Sequence, residues 1–110
     1  MLMALAMPAA AEPRWLTCSY TDMGGKQQGL AVMFDQDRNI ASIFEDGSMV
    51  EGTNTSITFQ AIRSRFPRFF LTYNRNDGAL SLALTGGGGF TTGIVNGSCR
   101  RSNPPPGAPR

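Results

Sequence analysis

The chain has 110 residues, 41% hydrophobic, 16% charged and 9% aromatic, with a formal charge of +2, which suffices for one small domain and not for two. With two Cys, no His and Lys26 as its one lysine, it lacks nearly all the usual general bases, metal ligands and amine nucleophiles, so a protein that binds is expected rather than an enzyme. Thirteen Gly and seven Pro argue against a helical bundle and for a turn-rich β protein.

Residues 1–11 carry no charge and end in Ala9-Ala10-Ala11 ahead of Glu12 and Pro13. Ala9 and Ala11 fill the small-residue positions of an A-x-A cleavage site, so the stretch reads as a secretory signal peptide. Its basic start is missing, so the peptide is expected to be truncated. The expected location is therefore periplasmic or secreted. No apolar run long enough to span a membrane follows.

Residues 12–100 are expected to form a single β domain. Alternation over residues 15–20 places Leu16, Cys18 and Tyr20 on one face, and residues 28–34 do the same with Leu30, Val32 and Phe34. Residues 35–39 turn the chain into a third strand over 40–44. Asp46-Gly47 favours a hairpin turn before a short fourth strand over 49–52. Residues 56–62 read as a strand with Ile57, Phe59 and Ala61 inward, broken over 63–67 by Pro67, which cannot donate to a ladder. Residues 68–74 carry Phe69, Leu71 and Tyr73 on one side, and Asn74 to Gly78 is a turn closed by a left-handed glycine. Leu80, Leu82 and Leu84 alternate in the next strand, residues 86–89 are a bare glycine loop, and residues 90–99 form the last strand, with Gly93 and Asn96-Gly97 as bulge or bend positions. Residues 101–110, with four prolines, read as a disordered Pro-rich tail.

These seven or eight short strands predict an all-β fold, an antiparallel meander forming a closed or nearly closed barrel, with a two-layer sandwich as the alternative. Cys18 and Cys99 are an even pair in a small secreted chain and predict one disulfide. Such a bond holds the first and last strands within about 6 Å between Cα atoms, which favours the barrel. A barrel of this size is narrow enough for Trp15, Phe34, Phe59, Phe69 and the leucines to fill.

Asp35-x-Asp37-x-Asn39 resembles the opening of a calcium loop, but Ile40 stands where that loop needs Gly, so a turn is expected and no metal. The carboxylate pairs Asp35/Asp37 and Glu45/Asp46 fall in turns expected to be exposed, and no catalytic residue or cofactor is assigned. Arg63, Arg65, Arg68 and Arg75, interleaved with Phe66, are the candidate binding residues, suited to an acidic partner. The loops at 63–67, 74–78 and 86–89 are the candidate contact surface. Charge is also segregated along the chain. Residues 22–51 hold six carboxylates against Lys26 and Arg38, whereas residues 52–110 hold seven arginines against Asp77. That polarity suits steering toward a charged partner.

A signal-like start, Cys18 in the first strand, short antiparallel strands and Cys99 in the last resemble small secreted bacterial β-barrel proteins. Among these, the chain is remotely similar in architecture to the periplasmic inhibitors of c-type lysozyme, over residues 16–100. The resemblance implies a single disulfide-tied barrel and a protein partner. Those inhibitors carry a Ser-Gly-x-x-Tyr-like segment and a later Lys; here that segment is absent and Lys26 comes too early, so no inhibitory residue is carried over. The leading expectation is a non-enzymatic binding module, in its sharpest form a hydrolase inhibitor. A lipocalin-like carrier of an apolar ligand is the alternative, and a nucleic-acid binder the third reading. Oligomeric state is left open.

Overall fold

The computed structural model describes residues 13–85 and 91–108. The signal-like residues 1–11 and the glycine loop at 86–89 lie outside the described residues. Nine strands follow one another: β1 Arg14–Thr21, β2 Gln27–Asp35, β3 Ile40–Glu45, β4 Ser48–Glu51, β5 Thr53–Ile57, β6 Ala61–Arg65, β7 Phe69–Asn74, β8 Ala79–Thr85 and β9 Thr91–Ser102. No helix occurs among the described residues. All pairings are antiparallel, in one sheet of order β4-β3-β2-β1-β9-β8-β7-β6-β5. The fold is therefore an all-β meander curled into a nearly closed barrel, and the sandwich alternative falls. Nine strands replace the expected seven or eight because the expected strand over 56–62 is divided by a turn into β5 and β6.

Two devices close the sheet. On one side β9 pairs with β1 over six residues, and Cys18 is the direct partner of Cys99 in that ladder. The two are disulfide-bonded with Cα atoms 4.0 Å apart. On the other side β4 and β5 are one chain bent at Gly52, β4 pairing with β3 and β5 with β6. A Cβ at Gly52 would overlap the Ser64 hydroxyl and meet the Phe66 ring at 3.0 Å, so the bend requires glycine. Below it, the Gly52 N–H donates to the Ala41 carbonyl at 2.8 Å. Asn39, held left-handed at φ 55°, then replaces a strand. Its amide nitrogen donates to the Thr55 carbonyl (2.8 Å) and its amide oxygen accepts from the Ile57 N–H (3.3 Å), the pairing a backbone would have made. Asn39→Ala loses both bonds and puts a residue that tolerates the left-handed conformation less well than asparagine there, so it is expected to cost about 1–2 kcal/mol. Amide exchange at Ile57 should accelerate. Unchanged protection there would show that the seam is closed without the side chain.

The interior holds Leu16, Val32, Phe34, Ile43, Ile62, Phe66, Phe69, Leu71, Leu80 and Leu82, each at most 3% exposed. They are the inward-phase residues of their strands, as period-2 alternation requires. Ser64 is the polar member, and its hydroxyl hydrogen-bonds that of Thr55 at 2.8 Å. Three residues expected inside lie outside this cluster. Ala61 is in the phase of the exposed Arg63 on β6, with Ile62 taking the inward place. Trp15 is buried at 6%, but it shares the phase of Thr17 rather than of Leu16 and lies outside the interior cluster, its ring meeting Phe44 edge-on at 6.4 Å. Phe59 sits on a turn, 84% exposed. The expected strand over 56–62 is in fact β5, a turn and β6. The Thr58 hydroxyl accepts the N–H groups of Gln60 and Ala61, turning the chain without Gly, Pro, Asn or Asp. Arg63 and Arg65, expected in a break, accordingly lie within β6.

Other turns follow the sequence. Asp46 and Gly47 both have positive φ, 50° and 77°, as a type I′ hairpin needs. Gly78 is left-handed at 78° and its N–H closes the turn on the Asn74 carbonyl at 2.9 Å. The register shift in the β8–β9 ladder falls between Leu84 and Thr85, beside Gly93, whereas the ladder runs unbroken through Asn96 and Gly97. Strand β9 continues through Arg101 and Ser102, which pair with Leu16 and Trp15.

The β1–β2 turn is organised by Asp22. One carboxylate oxygen accepts the N–H groups of Gly24 and Lys26, both at 2.9 Å, and the other accepts the Gln28 amide. The Gln28 bond first, then the Lys26 and Gly24 N–H groups, hold its pKa below the usual carboxylate value. A lowered folded pKa means the turn is stabilised above the unfolded pKa near 4 and loses that contribution as pH falls through the folded value. Exchange of the Gly24 and Lys26 amides should therefore speed up in acid beyond the intrinsic trend. Asp22→Asn should abolish that acid step; an identical profile in the variant would refute the assignment.

Candidate functional site

Up-and-down connectivity gives the barrel two ends. The turns at 22–26, 46–47 and 66–68 lie at one, here the upper end. The turns at 36–39, 58–60 and 75–78 lie at the lower end, with Arg14 and Ser102. The five candidate binding residues are distributed over both ends, the outer wall and the core, and do not form one site.

Arg63 and Arg65 flank the buried Ser64 on β6, so they stand exposed on the outer wall. Their cross-strand partners are Ser56 and Thr72 for Arg63, and Thr53 and Phe70 for Arg65, none of them charged. Arg68, at the upper end, is ion-paired with Glu45. The pair ties the β6–β7 turn to the end of β3; being exposed, it contributes about 0.2–1 kcal/mol.

Arg75 is at the opposite end and faces inward structure. Its guanidinium donates to Gln36 Oε1 (3.0 Å) and the Thr58 carbonyl (2.7 Å), and lies 5.3 Å from the centroid of the Phe34 ring. It is a brace joining three lower turns. Phe66 is 3% exposed and packs against Phe69 with ring centroids 5.6 Å apart. Its place in a binding surface is withdrawn. Ile62, Ser64 and Phe66 share one phase, and the Phe66 N–H bonds the Phe69 carbonyl at 2.8 Å, turning the ring into the core. Reading β6 as a strand would have revealed this.

Asp35, expected to be exposed, is buried at 6% and its Oδ1 accepts the Arg38 N–H at 3.3 Å. It caps the β2–β3 turn, and this hydrogen bond offsets part of the cost of burying the carboxylate. Among the described residues no group of three or more His, Cys, Asp or Glu is placed to hold a metal. The chain's charge segregation becomes spatial because strand order follows the sequence. Carboxylates gather around β2 to β4, and arginines along β5 to β9.

One exposed feature escaped the sequence reading. The β5–β6 hairpin carries Phe59 at its tip, and beside it a groove of about 210 Å³ is lined by Ser56, Thr58, Gln60, Ala61 and Arg63. The groove mixes polar and apolar surface and has Arg63 in its lining. Such a surface can accept an acidic or hydrogen-bonding group; it offers no nucleophile with an activating base. No family model, no curated protein and no solved structure matches the chain.

Proposed function

We propose that the protein is a secreted or periplasmic, non-enzymatic binding module that engages a protein partner with the outside of its barrel. The observation carrying this reading is the exposed pair Arg63 and Arg65 on a barrel whose interior is taken up by its own side chains. Guanidinium groups with uncharged neighbours attract an acidic surface at long range and gain most when a partner supplies the counter-charge. The same packed interior weighs against an apolar-ligand carrier, since Phe34, Phe66, Phe69 and the leucines occupy the space a ligand would need. The Cys18–Cys99 bond supports an oxidising compartment, and a composition without His and with one Lys supports binding over catalysis.

Inhibition of a lysozyme-type hydrolase is the sharpest form of the reading. Titration against c-, g- and i-type lysozymes tests it, and absence of binding to all three rejects that form. The broader reading is tested by capture from periplasmic extract or culture medium. Reversing both charges, R63E with R65E, should weaken recovery of the partner at low salt. Equal recovery by the wild type and the double variant would overturn the role given to this wall.

A further inference from the structure

Phe59 is 84% exposed, against 66% for Met23 and 58% for Ile94, the other exposed large hydrophobics among the described residues. A single exposed apolar side chain is ordinary. What sets Phe59 apart is how firmly its backbone is fixed. The Thr58 N–H donates to the Ala61 carbonyl at 2.9 Å, and the Thr58 hydroxyl accepts from Gln60 and Ala61 at 3.2 and 3.1 Å. The two carbonyls flanking Phe59 are both held by Arg75, that of Thr58 by the guanidinium at 2.7 Å and that of Gln60 by the backbone N–H at 2.9 Å. Asn39 fixes the β5 arm below through Thr55 and Ile57. The ring thus projects into water from a tip that cannot fold back to hide it.

We propose that the tip of the β5–β6 hairpin is a protein-docking epitope, with Phe59 entering an apolar pocket of a folded partner and Arg63 facing a carboxylate at that pocket's rim. This rests on the binding-module reading and adds the place and the chemistry of contact. A pre-ordered turn removes the entropy cost of fixing the anchor at binding. An aromatic ring beside an arginine is the composition of interface hot spots. The groove next to the tip gives the carboxylate a place, and the Ser56 and Thr72 neighbours of Arg63 leave its charge to be met from outside.

The experiment uses the full chain, immobilised, to capture proteins from native periplasmic and extracellular fractions, followed by affinity measurement with the purified partner. Phe59→Ala should weaken the complex about 30-fold or more, as truncation of a central anchor does. Arg63→Gln should weaken it less and reduce its salt dependence, while Ile94→Ala should bind as the wild type. A partner held equally by the wild type and Phe59→Ala would overturn the epitope and leave the binding-module reading standing. Recovery of no protein by the wild type would overturn both. Phe59-dependent binding to phosphatidylserine vesicles in place of a protein would overturn the proposal in favour of a lipid surface.

Discussion

Replacing both cysteines, C18S with C99S, is expected to remove about 4–5 kcal/mol of global stability by the chain-entropy argument for a long loop. The bonded residues are 81 apart, so the bond restrains almost the whole folding chain when it is unfolded. Net stabilities of small domains start near 5 kcal/mol, so the variant should be largely unfolded at 37 °C. Urea titration followed by Trp15 fluorescence, on oxidised wild type, reduced wild type and the double variant, measures the difference. Reduced wild type and variant should coincide. A loss below about 1 kcal/mol, the ordinary size of a point substitution, would show that the β1–β9 ladder holds the barrel unaided.

Gly97→Ala is the second large effect, and it acts on the folded state. Gly97 pairs with Tyr20, and a Cβ there would overlap the Ser19 carbonyl oxygen and lie 2.7 Å from the Tyr20 Cβ. These are backbone and near-backbone atoms with no freedom to rotate away. The strands must separate locally, two residues from a bond that prevents them from parting. A cost of about 3 kcal/mol is expected, which lowers the midpoint of a domain this size by more than about 12 °C. Gly29→Ala supplies the control, because nothing lies within 4 Å of a Cβ built there. It should melt within a few degrees of the wild type or slightly above it, since alanine restricts the unfolded chain. Equal melting of the two variants would show that the close approach at Gly97 relaxes freely.

The strands were legible wherever turn chemistry punctuated the alternation. Asp46-Gly47 and Asn74 to Gly78 delimit their hairpins in the sequence and in the fold, and the disulfide followed from two cysteines near the ends of the domain. The β5–β6 hairpin was illegible for a physical reason. Its turn is made by the Thr58 hydroxyl, and threonine within Ile-Thr-Phe-Gln-Ala is also a good strand residue. That one omission buried Phe59 in expectation and left Phe66 outside. Trp15 is buried as hydrophobicity predicts, but its phase opposite to Leu16 sets it against Phe44 rather than in the interior cluster. The arginines were found as a group, but sequence proximity could not separate Arg75, which braces the lower turns, from Arg63 and Arg65, which face solvent.

Closure by a ladder between the first and last strands also sets an order of events. Every other strand pairing joins neighbours along the sequence, whereas Cys18 meets Cys99 only after β9 is complete. Contacts of such long separation form late and slow the folding of β proteins. Until then β1 has one neighbour and an open edge, and β9 likewise, a template for pairing with another chain. The species one strand short of native is thus the point at which this chain is most open to strand exchange. Oxidation of the two cysteines makes the final pairing hard to reverse, so the redox state of the compartment acts as a latch on folding as well as a term in stability.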